Sequence, residues 1–392
     1  MRKIKEASIF LTRLRLTNFR NFRDLDLSLP PGISLFRGEN GQGKTNLLEA
    51  IYLLATTRSP RAGGEAELIH WDALEEPLAF TRVDADIQQG GQPLRVSQVL
   101  QARPQAISNP GSIAVERRFL VNGAPRRAGD VVGLLLAVWF GVQDIDLIGG
   151  PPALRRRFLD ILGSQLSPLY YKTLQRYQRV LAQRNHLLKV GGSGARGQGM
   201  EAWDEELVAN GSPILARRLE CLKALESLAQ NEHRRLTGDG GLSLDYKATF
   251  NASSMEEAEL AKAFRSQLQR LRDREVRMAM TLVGPHRDDL HFRVKGQDMG
   301  RYGSRGEQRL IALSLRLGEA ELLRLGRSQE PVLLLDDALS ELDERHRSLV
   351  LDSIQGRGQV LLTTPDLHPF LPSFLEKASI FRIAQGRVDI EN

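Results

Sequence analysis

The chain has 392 residues, room for roughly two to three domains of about 150 residues each. Its 41% hydrophobic and 26% charged residues suit a globular protein, and its single cysteine, Cys221, excludes an intrachain disulfide and a cysteine-based metal site. The net charge of +6 permits a polyanionic partner without requiring one.

The start, Met1 to Glu6, is basic and no signal-like apolar core follows it. The run Leu14-Arg15-Leu16, and then Leu25, Leu27 and Leu29 alternating with polar residues, predicts a half-buried strand within residues 8 to 30. Pro30-Pro31-Gly32 ends it. Ile33 to Phe36 reads as a short buried strand, and Thr45 to about Leu54 as a helix with a long apolar face. Residues 56 to 67 read as a loop and 78 to 121 as short strands of an antiparallel patch, with Asn122-Gly123 a hairpin turn. The longest apolar run, Val131 to Val142, falls short of the roughly 20 residues of a membrane span, so no membrane partner is expected, and the single cysteine fits a reducing cytoplasm. Gly149-Gly150-Pro151-Pro152 marks a boundary. After it, Leu166, Tyr170, Leu174, Tyr177 and Leu181 recur at helical spacing, Gly191 to Gly199 reads as a loop, and Ser212-Pro213 as a new helix start. Leu260, Phe264, Leu268 and Leu271 mark a further helix. From Thr281 strands and loops return, followed by a helix from Arg309 to about Leu325 and apolar strands at 331–335 and 360–364.

The stretch between the strand at 33–36 and its helix is Gly38-Glu39-Asn40-Gly41-Gln42-Gly43-Lys44-Thr45, with the spacing of a P-loop. A strand, a glycine-rich turn and a helix N-terminus aim backbone N–H groups at one small volume that suits a phosphate. Lys44 is expected to reach the outer phosphates of ATP and Thr45 to ligate Mg2+. Leu333-Leu334-Leu335 runs straight into Asp336-Asp337, the pattern of a Walker B strand. Asp336 is the expected Mg2+ holder and Asp337 the general base for water. Ser304-Arg305-Gly306-Glu307-Gln308 resembles the signature loop of ATP-binding-cassette ATPases, with Ser304, Gly306 and Gln308 in place and Arg305 where a glycine is usual. In that class the signature of one subunit faces the P-loop of another, which implies an ATP-dependent homodimer. Asp343, seven residues after Asp336, matches the D-loop position, and Gln143 the Q-loop, a contact to metal or water.

With these residues in view, the chain resembles the RecF family of bacterial recombination-repair ATPases, relatives of SMC proteins. Leu16 to Phe22, Gly38 to Thr45, Arg155-Arg156-Arg157 with Leu159-Asp160, Gly284 to Leu290, the signature loop and Leu334 to Asp337 carry the likeness. The resemblance implies an α/β fold: an ABC-type P-loop head with a mixed sheet and helices, plus an inserted helical lobe. The expected division is 1–145 for the first part of the head, 146–280 for the lobe and 281–392 for the rest of the head. It also implies binding to double-stranded and gapped DNA, and RecR as a partner, with RecO and RecA through it. In related SMC heads an arginine shortly after the P-loop helix approaches the nucleotide, which points to Arg61.

Two departures bear on catalysis. Thr364 stands where transporter ATPases carry a switch histidine, leaving a hydroxyl of Thr363 or Thr364 as a substitute, and Asp337 replaces the usual glutamate. Both imply slow turnover. Arg58, Arg61, Arg117, Arg118, Arg126, Arg127 and Arg155 to Arg157 are candidate DNA phosphate contacts. His286 and Arg287 have two open readings, a structural brace or a ligand contact. The competing class is a transporter ATPase subunit, against which stand the missing histidine, the helical lobe and Arg305. A nuclease-linked ATPase has no acid or metal cluster behind it.

Overall fold

A computed structural model describes residues 9–104, 113–190, 198–340 and 342–391; most of the loop expected at Gly191 to Gly199 lies outside these. The chain divides into two units, Met1–Val142 with Glu319–Asn392, and Gln143–Gly318. In chain order the strands are β1 (Phe10–Phe19), β2 (Phe22–Ser28), β3 (Gly32–Arg37), β4 (Phe80–Gln89) and β5 (Gln92–Pro104). Then come β6 (Ile113–Val121), β7 (Ala124–Arg126), β8 (Ala137–Gly141), β9 (Leu242–Lys247), β10 (Asp289–Val294) and β11 (Gln297–Asp298). The last are β12 (Val332–Asp336), β13 (Gln359–Thr364), β14 (Ala378–Ala384) and β15 (Arg387–Glu391).

The first unit holds two six-stranded sheets. One is antiparallel, ordered β2-β1-β4-β5-β6-β7. Its alternation is the one read from the sequence: Leu14 and Leu16 are fully buried while Arg13 and Arg15 face outward. The outward charges pair across strands, Arg15 with Asp86 and Arg95 with Asp86. The patch at 78–121 has longer strands than its turn signals suggest, and Asn122 and Gly123, both with positive φ, close the β6–β7 hairpin as expected.

The other sheet is ordered β15-β14-β3-β13-β12-β8, parallel except for β15. Strands β8 and β13 are buried at every residue, as a parallel sheet covered on both faces requires. The apolar run at 131–140 therefore splits, only its second half forming β8. The helix Lys44–Thr56 packs against strands of both sheets and is buried on almost all sides. The Gln359 side chain joins the sheets: its amide accepts from Leu11 N–H and donates to Leu11 O, both at 2.9 Å.

The second unit contains the helices Pro152–Leu166, Pro168–Val190, Gln198–Thr237 and Glu257–Met278 and the small antiparallel sheet β11-β10-β9. Tyr177, Leu207, Val208, Ile214, Leu215, Phe264 and Val283 form its core. Ser212-Pro213 does not start a helix: one helix of 40 residues passes through it. Leu207 and Val208 before the proline and Ile214 and Leu215 after it enter the same core, and this packing outweighs the hydrogen bond the proline removes. Residues 281–318, assigned from sequence to the head, lie in this unit because β10 pairs along its length with β9. The helix expected from Arg309 begins at Arg305.

Two buried polar clusters hold the unit together. Arg184, with no exposed side-chain surface, donates to Asp204 at 2.8 Å, Glu275 at 2.6 Å and Thr281 at 2.8 Å. The run Gly284 to Leu290 forms the second. Asp288 accepts from Tyr246 Oη, Thr249 N and Thr249 Oγ1; Asp289 accepts two bonds from Arg155; Arg218 donates to Pro285 O. His286 Nδ1 lies 2.6 Å from the Tyr177 hydroxyl and Nε2 lies 3.3 Å from Thr281 O, which suits a neutral ring protonated on Nε2. Arg287 donates to Thr281 O at 3.0 Å. These contacts make the run a brace within the unit.

Burial pushes the His286 imidazole down to about 3, and nearby arginines reinforce this. Unfolded, the ring takes its proton near 6.5. Its contribution is therefore complete above that value and is lost as pH falls toward the folded one. Between pH 6.5 and 5 the second unit is expected to lose about 1 kcal/mol per pH unit from this residue. Burial raises the Asp288 and Glu275 carboxyls, an effect of opposite sign. The measurement is chemical denaturation across this range for the natural chain and His286→Gln; parallel stability profiles would contradict the assignment.

Candidate functional site

Parallel register brings the carboxyl ends of four strands level. Asp336 pairs with Thr363 on one side and Gly141 on the other, and Thr363 with Phe36, one residue before the P-loop approach. This is the edge at which ligands gather in such sheets. The P-loop leaves β3 here and enters the helix Lys44–Thr56. Two of its glycines are demanded by close approach. A Cβ on Gly38 would sit 2.3 Å from Ile383 O of β14, and one on Gly43 would sit 2.5 Å from Asn21 Nδ2, with the Gly43 φ at +112°. Gly43 caps the helix with no side chain, so the first-turn amides are left to a ligand.

Lys44 is buried and curls over its own loop, donating to Gly38 O at 2.5 Å and Glu39 O at 2.9 Å. Burial lowers its ammonium below the usual lysine range, against the opposing charges of Asp337 and Asp336. Thr45 Oγ1 donates to Asp336 Oδ1 at 2.9 Å. Burial pushes the Asp336 carboxyl up, opposed by the hydroxyls of Thr45 and Thr363 and by the Arg61 charge. Asp337 takes a left-handed conformation with φ +51°. Lys44, Thr45, Asp336 and Asp337 are thus assembled within one unit.

The other expected residues are placed less directly. Arg61 donates to Asn46 Oδ1 at 2.6 Å and Glu49 Oε2 at 2.8 Å, beside the P-loop helix. Gln143 is exposed, two residues beyond Gly141, as the first residue of the second unit. Ser304, Gly306 and Gln308 also belong to that unit. Ser304 caps the helix Arg305–Arg327 in a reciprocal box, its N–H and hydroxyl donating to Glu307 Oε2 at 2.9 and 2.7 Å. Gln308 turns to its own unit and donates to Met299 O at 2.8 Å. Asp343 caps the helix Glu344–Ile354, accepting from His346 N at 2.8 Å. Thr364 Oγ1 donates to Asp366 O, so this hydroxyl serves a turn.

The arginines sort themselves. Arg155 is buried against Asp289, and Arg156 donates to Asp288 O, so these two are structural rather than free for DNA. Arg117 pairs with Glu65 and Arg118 with Glu116. Arg58, Arg117, Arg118, Arg126 and Arg127 are exposed.

Sequence reading missed a second ring of contacts. Asn21, in the turn between β1 and β2, donates to Gln42 O at 2.9 Å and accepts from Asn46 Nδ2 at 2.7 Å. Its neighbour Arg20 donates twice to Glu49, each at 2.9 Å. Glu49 is fully buried; burial pushes its carboxyl up, but the Arg20 hydrogen bonds, the Arg61 charge and Ser59 outweigh this and hold it low. Asn21 stands in the Leu16 to Phe22 run, but nothing local ties it to a loop some twenty residues on.

The family described as RecF/RecN/SMC N terminal domain matches residues 10–371. The chain belongs to this family. Among its relatives, "DNA replication and repair protein RecF" of Chloroflexus aggregans is 42% identical over 390 residues, covering 97% of this chain and 99% of that protein. The protein of the same name from Bacillus cytotoxicus is 34% identical, covering 98% and 99%. A solved "recombination mediator protein RecF-ATP" superposes with a TM-score of 0.87 at 28% identity, over 100% of both chains. An Smc head domain from Pyrococcus furiosus matches with a TM-score of 0.51 at 15% identity, a likeness of fold. The fold is that of an ABC-type ATPase head with a helical lobe.

Asn21→Ala removes two hydrogen bonds that fix the P-loop, each worth about 1 kcal/mol net. ATP affinity by titration calorimetry is expected to fall about 5- to 30-fold, by the tenfold-per-1.4 kcal/mol conversion. The thermal unfolding midpoint without nucleotide should move little. Unchanged affinity would exclude Asn21 from the site.

Proposed function

We propose that this protein is a slow ATP-hydrolysing switch that binds double-stranded DNA at gaps in recombinational repair and replication-fork maintenance. The observation that supports it most is the meeting of Lys44, Thr45 and Asp336 at the carboxyl ends of β3 and β12, in a chain similar over nearly its whole length to proteins named RecF. The relative solved as "RecF-ATP" supports ATP as the nucleotide. Gly38, Glu39, Asn40, Gly41, Gln42 and Gly43 wrap the phosphates, Lys44 reaches the outer ones, and Arg61 is the arginine beside them. The Thr45 hydroxyl and the Asp336 carboxylate are adjacent hard oxygen donors, which fit Mg2+, with Gln143 as a further ligand. When bound, that ion offsets charge on the phosphate oxygens. Asp337 acts as the general base.

Ser304, Gly306, Gln308 and Asp343 act across an ATP-dependent homodimer, each copy lending its signature to the other's P-loop. RecR, with RecO and RecA through it, is the partner set, in the cytoplasm. Among the described residues no helix is long and apolar enough to cross a membrane. Of the candidate arginines, Arg58, Arg117, Arg118, Arg126 and Arg127 are exposed and suit DNA phosphates. Slow turnover follows from the short Asp337 side chain and from Thr364, whose hydroxyl is spent on Asp366.

Size-exclusion with light scattering tests the assembly. Dimer is expected with ATP and Mg2+, monomer for Lys44→Met, and gapped-duplex binding that weakens steeply with salt. A monomer under every condition would overturn the reading. Steady-state turnover is expected well below the roughly 10 per second median of enzymes; rapid, DNA-independent hydrolysis at or above that median would contradict the switch.

A further inference from the structure

We propose that the Thr363 hydroxyl is the positioning group of this site: it orients the Asp336 carboxylate for the metal and holds Asp337 in its left-handed backbone conformation. This inference rests on the ATPase reading above and names a residue that acts through its neighbours.

Thr363, the penultimate residue of β13, is level with Asp336 on β12. Its side chain is 1% exposed. Its single proton is donated to Asp336 Oδ1 at 2.9 Å, and its oxygen accepts the N–H of Asp337 at 2.9 Å. One hydroxyl therefore touches both members of the aspartate pair. Both of its bonding roles are in use, so it cannot also contact a phosphate without releasing one aspartate. This separates it from a phosphate sensor, the role that the place of Thr363 and Thr364 in the chain first suggests. Thr364 has no part in the pair.

The geometry has two effects. Thr45 Oγ1 also donates to Oδ1, so two hydroxyls converge on one oxygen and fix the carboxylate plane. Oδ2 is then the more basic oxygen to offer a cation. The second effect is on the backbone. A non-glycine residue with positive φ is uncommon, and Asp337 sits at +51° immediately after the strand. Its N–H bond to Thr363 ties that conformation to β13. A group that orients a metal-binding carboxylate in this way typically governs metal affinity by about 10- to 100-fold while leaving the rest of the pocket intact.

Thr363→Val keeps the shape and removes the hydroxyl; Thr363→Ser keeps the hydroxyl; Thr363→Ala serves if the valine variant fails to fold. Three readouts separate the roles: ATP affinity in EDTA, the Mg2+ concentration for half-maximal thermal stabilisation with ATP present, and single-turnover hydrolysis. For Thr363→Val we expect metal-free ATP affinity close to that of the natural chain, a Mg2+ requirement raised about tenfold or more, and hydrolysis slowed about 10- to 100-fold. Thr363→Ser should restore both. An unchanged Mg2+ requirement, an equal loss of metal-free binding, or a serine variant as damaged as valine would each overturn the proposal. If the natural chain itself neither binds nor hydrolyses ATP, the ATPase reading fails first, and this inference with it.

Discussion

Four parallel strands end at one height, and the site depends on that alignment. Strands β8, β12, β13 and β3 bury runs of apolar residues at their centres, so hydrophobic burial holds their order. Their hydrogen-bond register then decides which polar ends meet. A slip of one residue between β12 and β13 would turn Thr363 to the opposite face and leave Asp336 without it. The chemistry is thus positioned by residues that take no part in it.

The P-loop helix presents a different problem. A segment packed between two sheets must be almost wholly apolar, yet it carries Glu49 with no exposed surface. An isolated buried carboxylate would be costly, and two arginines make it tolerable. They come from different segments, Arg20 from the β1–β2 turn and Arg61 from the loop after the helix. The same turn supplies Asn21 to the back of the P-loop. The phosphate cradle is therefore clamped from behind by a hairpin that contains none of the P-loop pattern. In the second unit Arg184 does the same work for Asp204 and Glu275.

How much of this could be read beforehand follows from distance along the chain. The P-loop and the Asp336-Asp337 pair are local patterns flanked by their own strand and helix, and their place at the ends of β3 and β12 was legible for that reason. The hairpin at Asn122-Gly123 was legible for the same reason. The failures are tertiary. Ser212-Pro213 has the composition of a helix start, but core packing on both sides carries the helix through. Arg155 looks like a basic surface until Asp289, far along the chain, is folded against it. The segment 281–318 resembles the head in its punctuation, yet its strand pairs with β9. Asn21 and Glu49 carry no spacing signal at all.

The reciprocal cap at Ser304 has a consequence of its own. The Glu307 carboxylate already accepts from both donors of Ser304, its N–H and its hydroxyl, and these hydrogen bonds hold the carboxyl below the usual range. An anion brought to the Ser304 donors would have to displace a carboxylate of like sign, and its hold there would be a difference between two anions rather than the full attraction of one.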